Sequence, residues 1–271
     1  MWTFILLPLF LYLALLAALY FGQAALLFPV GQVGPEAALP GSAEPVEIET
    51  ASGELLRGVH IPPARQRGER LLILGFGGNA ANATATAAML HDLYPAADIV
   101  AFHYRGYPPS EGRPGAGALI EDSVRIHDFA RDRLDPARIV AVGFSVGSGV
   151  AAALSAARPL DGLVLVTPFD SLARVAGDHC RWLPVRLLFR HRMEPADDLR
   201  RRPTPVAILA GGRDRLIPGR RTQALRLAAP ILAYDRTIVD AGHNDIYSHP
   251  EFADAMREAL ARLRAQPRRS Q

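Results

Sequence analysis

The chain has 271 residues, 30 basic and 27 acidic side chains for a formal net charge of +3, and is 49% hydrophobic and 21% charged. That is enough for one large folded domain with a short appendage, too little for two full enzyme domains, and too apolar for a disordered protein. Every basic residue is arginine, acids alternate with them, and no basic-aromatic segment stands out, so nucleic acid is not an expected partner; Cys180 is the one cysteine, which excludes an internal disulfide and a CxxC site and is read as a small apolar packing residue.

The amino-terminal stretch carries no charge before Glu36 and is almost continuously apolar from residue 2 to residue 28. As a helix it would run roughly 40 Å, more than the ~30 Å hydrocarbon core of a bilayer. Residues 1–30 are therefore expected to be a retained membrane anchor. A cleaved signal peptide is the rival, disfavoured because the run exceeds the usual apolar region and no arginine precedes it. The nearest basic residue is Arg57, so the charge rule for orientation has nothing to act on and the side of the membrane stays open. Residues 31–45, rich in Gly, Pro and Ala, read as a linker to a catalytic domain over 46–271.

Beyond the linker, short apolar runs alternate with longer amphipathic stretches, the pattern of strands joined by crossover helices. Strands are predicted at 46–50, 56–61, 71–75, 99–102, 139–143, 163–166, 206–210 and 232–239. The first two lack a helical spacer and read as an antiparallel hairpin. Helices are predicted at 84–93, 118–133, 146–157, 221–228 and 252–264. In such a sheet ligands bind outside the carboxyl ends of the strands, so the loops that follow strands are where chemistry is sought.

Four of these loops are unusual. After the strand at 139–143 comes Gly143-Phe144-Ser145-Val146-Gly147. A serine on a sharp strand-to-helix turn needs small neighbours two positions to either side, and the same turn aims the Val146 backbone N–H toward an oxyanion formed on a carbonyl that Ser145 attacks. A plain glycine-rich junction is the competing account. After the strand at 206–210 comes Asp214, which suits a carboxylate that orients a base, though taken alone it better suits a helix or turn cap. After the last strand comes His243, whose imidazole titrates near neutrality and can take the serine proton and return it. The remaining histidines are read as structural, and no HxxxH or HExxH spacing points to a metal. Asp245 is expected to cap the next helix or order its own loop. After the strand at 71–75 comes Gly77-Gly78-Asn79, able to aim the Asn79 N–H at the oxyanion opposite Val146, or simply to turn tightly so that the Ser145 loop can approach. It lacks the lysine and spacing of a phosphate loop.

These motifs, in the order Ser, Asp, His, resemble the alpha/beta-hydrolase superfamily, and more narrowly its membrane-anchored esterase and lysophospholipase-like, serine-aminopeptidase-like branch. The resemblance covers about residues 46–264 and includes His103-Tyr104-Arg105-Gly106-Tyr107-Pro108-Pro109-Ser110-Glu111-Gly112 and Thr167-Pro168-Phe169-Asp170-Ser171-Leu172. It implies a mostly parallel eight-stranded sheet flanked by helices, with a small cap inserted at about 171–203. It implies Ser145 as nucleophile, His243 as base, Asp214 as orienting acid, and Asn79 and Val146 as backbone donors. The sequence departs from the family pattern at Gly77, where histidine is usual, and at Pro108-Pro109.

The expected activity is hydrolysis of a carboxylic ester or thioester with a hydrophobic or lipid-like acyl group, through an acyl-serine intermediate and without a cofactor. A peptidase of the same fold is the alternative within the chemistry. A membrane-tethered binding protein without catalysis is the alternative outside it. In the cap, Trp182, Leu183, Leu187, Leu188 and Phe189 stand among Arg181, Arg186, Arg190 and Arg192 and are expected to line an acyl pocket, rest on a bilayer interface, or merely pack on the core. The oligomeric state is not legible.

Overall fold

The computed structural model describes residues 3–65 and 68–267, and each of the eight predicted strands is a strand in it. The strands are β1 (Glu44–Glu49), β2 (Leu55–Ile61), β3 (Leu71–Phe76), β4 (Asp98–Phe102), β5 (Arg138–Phe144), β6 (Gly162–Val166), β7 (Val206–Gly211) and β8 (Leu232–Ile238). They form one sheet in the order β1-β2-β4-β3-β5-β6-β7-β8. Only β2 runs against its neighbours, so the sheet is mixed, with a parallel run from β4 to β8. The fold is that of the alpha/beta hydrolases, as the resemblance implied.

The central strands read as unbroken apolar runs because both of their faces are covered. Alternate residues point to opposite sides: Leu72, Leu74 and Leu165 lie in one core cluster, Ile73, Val142 and Val164 in the other. Helices α3 (Ala116–Leu134), α4 (Val146–Ala157), α7 (Pro195–Arg201) and α8 (Gly219–Ala228) supply buried side chains to the first cluster. Helices α2 (Ala83–Leu93) and α9 (Phe252–Arg264) supply the second. Each large aliphatic side chain fully withdrawn from water in this way contributes about 1.5–3 kcal/mol.

The register sets the site. Phe76 of β3 stands opposite Gly143 of β5, so the loop after β3 and the turn at Ser145 leave the sheet side by side. Gly211 of β7 stands opposite Ile238 of β8, which brings the loops carrying Asp214 and His243 together.

Helix α1 (Thr3–Leu27) contains Pro8 and spans about 38 Å at 1.5 Å per residue. The stretch Leu6–Gln32 has a mean hydropathy of 1.9 and is long and apolar enough to cross a membrane. The first two residues of the expected anchor lie outside the described residues. The segment after α1 is not a free spacer. Phe28 is buried in the core beside α3 and α4, the Gly34 N–H donates to the Ala80 carbonyl at 3.0 Å, the Asn82 amide donates to the Gly34 carbonyl at 3.2 Å, and the Ala37 N–H donates to Thr84 Oγ1 at 3.0 Å. Residues 34–37 are thereby strapped to the loop that follows β3.

Between β6 and α7 the chain forms α5 (Leu172–His179) and the short α6 (Val185–Leu188). This cap lies against α1: Gln23 Nε2 donates to the Leu188 carbonyl at 2.8 Å and Gln23 Oε1 accepts from the Arg190 N–H at 2.9 Å. The Arg190 guanidinium sits 5.1 Å from the Tyr20 ring centroid. Cys180 is half-buried and lines a small apolar cavity against α1.

Candidate active site

Ser145 sits between β5 and α4 at φ 50°, ψ −115°, a conformation that costs a residue with a side chain on the order of 1–3 kcal/mol. Close packing holds it there. A Cβ on Gly143 would lie 2.3 Å from the Gly147 carbonyl oxygen, and one on Gly147 would lie 2.0 Å from that of Phe76, so neither position accepts a larger residue. The Ser145 N–H donates to the Val166 carbonyl at 2.9 Å, tying the turn to the end of β6. The next residue there, Thr167, also has positive φ, at 47°.

Ser145 Oγ lies 2.9 Å from His243 Nε2, and His243 Nδ1 lies 2.7 Å from Asp214 Oδ2. The three side chains that sequence order singled out are thus in one hydrogen-bonded chain. With Nδ1–H donating to the carboxylate, Nε2 carries the lone pair that faces the serine hydroxyl. Asp214 does more than face the imidazole: its Oδ1 accepts from the Leu216 and Ile217 N–H groups at 2.9 and 2.7 Å. One oxygen thus caps the turn while the other faces the imidazole. Asp245 orders its loop, accepting from the Gly242 N–H at 2.5 Å beside His243, and makes no side-chain cap to the short helix after it.

Asn79 and Val146 lie on the two loops that flank the serine. Neither of their backbone N–H groups has a hydrogen-bond partner among the described residues. A Cβ on Gly78 would come within 3.8 Å of that of Ser145. At Gly77, a Cβ would lie 2.5 Å from that of Ala81 and 3.0 Å from Thr86 Oγ1, so the histidine usual in the family has no room here.

Sequence reasoning missed what holds the Gly77-Gly78-Asn79 loop. Tyr104 Oη donates to the Gly77 carbonyl at 2.7 Å and Tyr107 Oη to the Asn79 carbonyl at 2.5 Å. Both tyrosines are buried and pack edge to face at 5.7 Å; burial pushes both hydroxyls above the usual tyrosine range, so they remain donors. Their own loop, 103–112, is anchored by Arg105 on Asp122, a buried ion pair whose Nε–Oδ2 distance is 3.1 Å, and contains a cis peptide bond between Pro108 and Pro109. The signal was present as the Tyr104-Arg105-Gly106-Tyr107 run, but nothing local says which carbonyls its hydroxyls meet.

The cavity at Ser145 has a volume of about 690 Å³. Its walls include Met89, Phe144, Leu216 and Tyr247, together with residues 34–37 and the loop at 77–82. The 171–203 insertion contributes none of its lining, so the cap does not form the acyl pocket the sequence offered as one option. Leu183, Leu188 and Phe189 face α1, while Trp182 and Leu187 stand in solvent. The cap still reaches the site's edge through His179, whose Nε2 is 2.8 Å from the Leu216 carbonyl. Three of the other histidines have structural partners: His60 pairs with Asp98 at 2.8 Å, His127 with Asp128 at 2.9 Å, and His191 packs on Phe28. Among the described residues no cluster of His, Cys, Asp and Glu could hold a metal ion.

Comparison with known proteins finds the same fold. Residues 71–182 match the family described as the alpha/beta hydrolase fold. The chain is 33% identical over 245 residues to an uncharacterized protein of Mycobacterium tuberculosis, covering 87% of this chain and 84% of that one. A shorter match, 30% identical over 98 residues, covers 34% of this chain and 25% of a lysophosphatidylserine lipase of Danio rerio. Among solved structures, an esterase of Pyrococcus furiosus has the same fold, with a TM-score of 0.68 at 19% identity over 86% of this chain and 97% of that one.

Proposed function

The chain belongs to the alpha/beta-hydrolase family, and we propose that it is a serine hydrolase that cleaves carboxylic ester or thioester bonds of hydrophobic, lipid-like substrates from a membrane-anchored position. The observation that carries this reading is the hydrogen-bonded chain from Ser145 Oγ through His243 to Asp214, at 2.9 and 2.7 Å, on a turn that exposes the serine to an open cavity.

In the proposed reaction Ser145 Oγ attacks the carbonyl carbon as its proton passes to His243 Nε2. The carbonyl π pair moves onto oxygen, and the oxyanion is held by the N–H groups of Asn79 and Val146. Collapse of the tetrahedral species expels the alkoxide or thiolate, which takes the proton from Nε2 and leaves an acyl-serine. Water then attacks the acyl carbon, giving a proton to His243 and releasing the acid while Ser145 recovers its hydrogen. Asp214 keeps Nδ1 protonated and stabilises the imidazolium that forms in each half.

Three features support the lipid-like substrate: the long apolar helix α1, the apolar wall of Met89, Phe144 and Leu216, and the partial likeness to a lysophosphatidylserine lipase. Glu36, exposed at the cavity wall, would attract an amine and is the observation that favours the peptidase alternative. Full-length protein in detergent is expected to label with a fluorophosphonate at Ser145, and Ser145→Ala to lose both label and ester hydrolysis. Absence of label at that residue, or full activity in the alanine variant, rejects the mechanism. A panel of monoacylglycerol, lysophospholipid and aminoacyl amide separates lipase from peptidase. Retention in the membrane pellet through alkaline carbonate tests the anchor.

A further inference from the structure

The cap leaves a second, larger cavity, of about 930 Å³, that shares no lining residue with the one at Ser145. Its polar wall holds Arg174, Arg181, Arg192 and Arg221 against two carboxylates, Asp178 and Glu194. Arg221 already grips Asp178 with two bonds of 2.6 and 3.0 Å, and Arg220 adds a third at 2.8 Å, so that acid is fully countered. Arg174 and Arg221 both reach Asp170, at 3.2 and 3.3 Å. Arg181 and Arg192 are exposed and have no side-chain hydrogen bond and no ion pair among the described residues. Glu194 has no side-chain partner among the described residues either, so two unpaired guanidinium groups stand against one unpaired carboxylate and the lining keeps a net positive charge.

The same lining also holds the apolar side chains of Leu183, Val185 and Phe189, and the reverse side of the same turn lines a smaller cavity, about 210 Å³, closed by Leu19, Leu26 and Leu27 of α1. The tip of the turn offers Trp182 at 57% and Leu187 at 85% exposure, side chains poorly suited to water and well suited to a membrane interface. Guanidinium groups bind phosphate bidentately, and arginines next to an apolar surface at a membrane are attracted to anionic lipid.

We propose that the cap binds an anionic glycerophospholipid of the bilayer, its phosphate among Arg181, Arg192 and Arg174 and its acyl chain along the turn that packs on α1. The site lies outside the catalytic cavity and seats the enzyme on its membrane. A soluble phosphorylated ligand would use the arginines but leave the apolar side chains and the exposed Trp182 and Leu187 without a role. This inference rests on the reading of α1 as a membrane anchor.

The chain has two tryptophans, so Trp2→Phe leaves Trp182 as the sole emitter on the turn. Full-length Trp2→Phe protein in nonionic detergent micelles is titrated with dioleoyl phosphatidylglycerol, dioleoyl phosphatidylcholine and inorganic phosphate. The expected result is a saturable shift of Trp182 emission with the anionic lipid at a midpoint at least tenfold lower than with phosphatidylcholine, and none with phosphate. Adding Arg181→Gln and Arg192→Gln is expected to abolish the preference, and Arg181→Lys with Arg192→Lys to retain part of it. Turnover of a short-chain acyl ester, which reports folding, stays unchanged in all of them. Equal response to the two lipids, saturation by phosphate alone, or an unaltered preference in the glutamine pair overturns the proposal. Carbonate extraction keeps the two readings apart: loss of lipid preference with retention in the pellet rejects the lipid site, whereas release of wild type from the pellet rejects the anchor.

Discussion

Replacing Asp214 by asparagine separates the two tasks of its carboxylate. Oδ1 accepts from Leu216 and Ile217 and shapes the loop, while Oδ2 faces His243 Nδ1 at 2.7 Å. An asparagine can turn its carbonyl oxygen to the two backbone N–H groups and so preserve the loop. Its amide nitrogen then faces Nδ1 as a donor, which drives the imidazole proton onto Nε2, where it can no longer accept from Ser145. For a triad acid this change costs about 10³–10⁴ in kcat, or about 4–5.5 kcal/mol of transition-state stabilisation. Asp214→Ala loses both sets of bonds. Two hydrogen bonds to a largely buried carboxylate, with its side chain 6% exposed, bring a stability loss of about 2–3 kcal/mol, or roughly 5–10 °C in the unfolding midpoint. Steady-state hydrolysis of a short-chain ester and thermal unfolding of the same preparations provide the comparison. The expected pattern is Asn inactive but as stable as wild type to within about 2 °C, and Ala inactive and less stable. An asparagine variant within tenfold of wild-type kcat, or one as unstable as the alanine variant, would refute this division of labour.

Gly147→Ala is expected to cost about 3 kcal/mol or more and to give little folded protein, because its Cβ would meet the Phe76 carbonyl at 2.0 Å and neither strand nor helix can retreat; chemical denaturation measures it. Tyr107→Phe keeps the buried ring and removes the bond to the Asn79 carbonyl, so kcat should fall about tenfold with KM little altered and stability should drop by about 1 kcal/mol. Equal loss in kcat for a slow and a fast leaving group would show that the acylation and deacylation transition states are both weakened, as a defect in oxyanion stabilisation requires. Burial raises the Asp198 carboxyl from 3.8 to about 6. The folded state then carries a penalised charge above pH 6, a cost that fades as pH falls and is gone below the unfolded pKa of 3.8, where both states are neutral. Asp198→Asn is therefore expected to stabilise the protein by about 2 kcal/mol at pH 8, with the gain vanishing between pH 6 and 4 in unfolding curves.

Strand positions were legible because each strand is a short apolar run bounded by turn residues, and all eight lie within two residues of where the pattern put them. The cap was legible as an apolar and basic segment but not as a neighbour of α1, since which side of a surface turn faces which partner is settled by contacts made across more than 160 residues. The segment after the apolar helix had the composition of a linker, yet it forms part of the wall at Ser145 through bonds to Ala80, Asn82 and Thr84. Composition reports how freely a backbone can move, not whether its N–H and carbonyl groups find partners.

What the sequence alone determined is local: the period of the strands and helices, the glycines around Ser145, and the placing of Asp214 and His243 just beyond strand ends. Those features follow from the backbone's short-range geometry, which each segment carries by itself. The tertiary structure decided what meets across the sheet. Because β3 lies between β4 and β5, two tyrosines from the loop after β4 reach the carbonyls of the loop after β3, and the Phe76 carbonyl presses on Gly147. Strand order and register are cooperative properties of the whole core, so no window of sequence contains them.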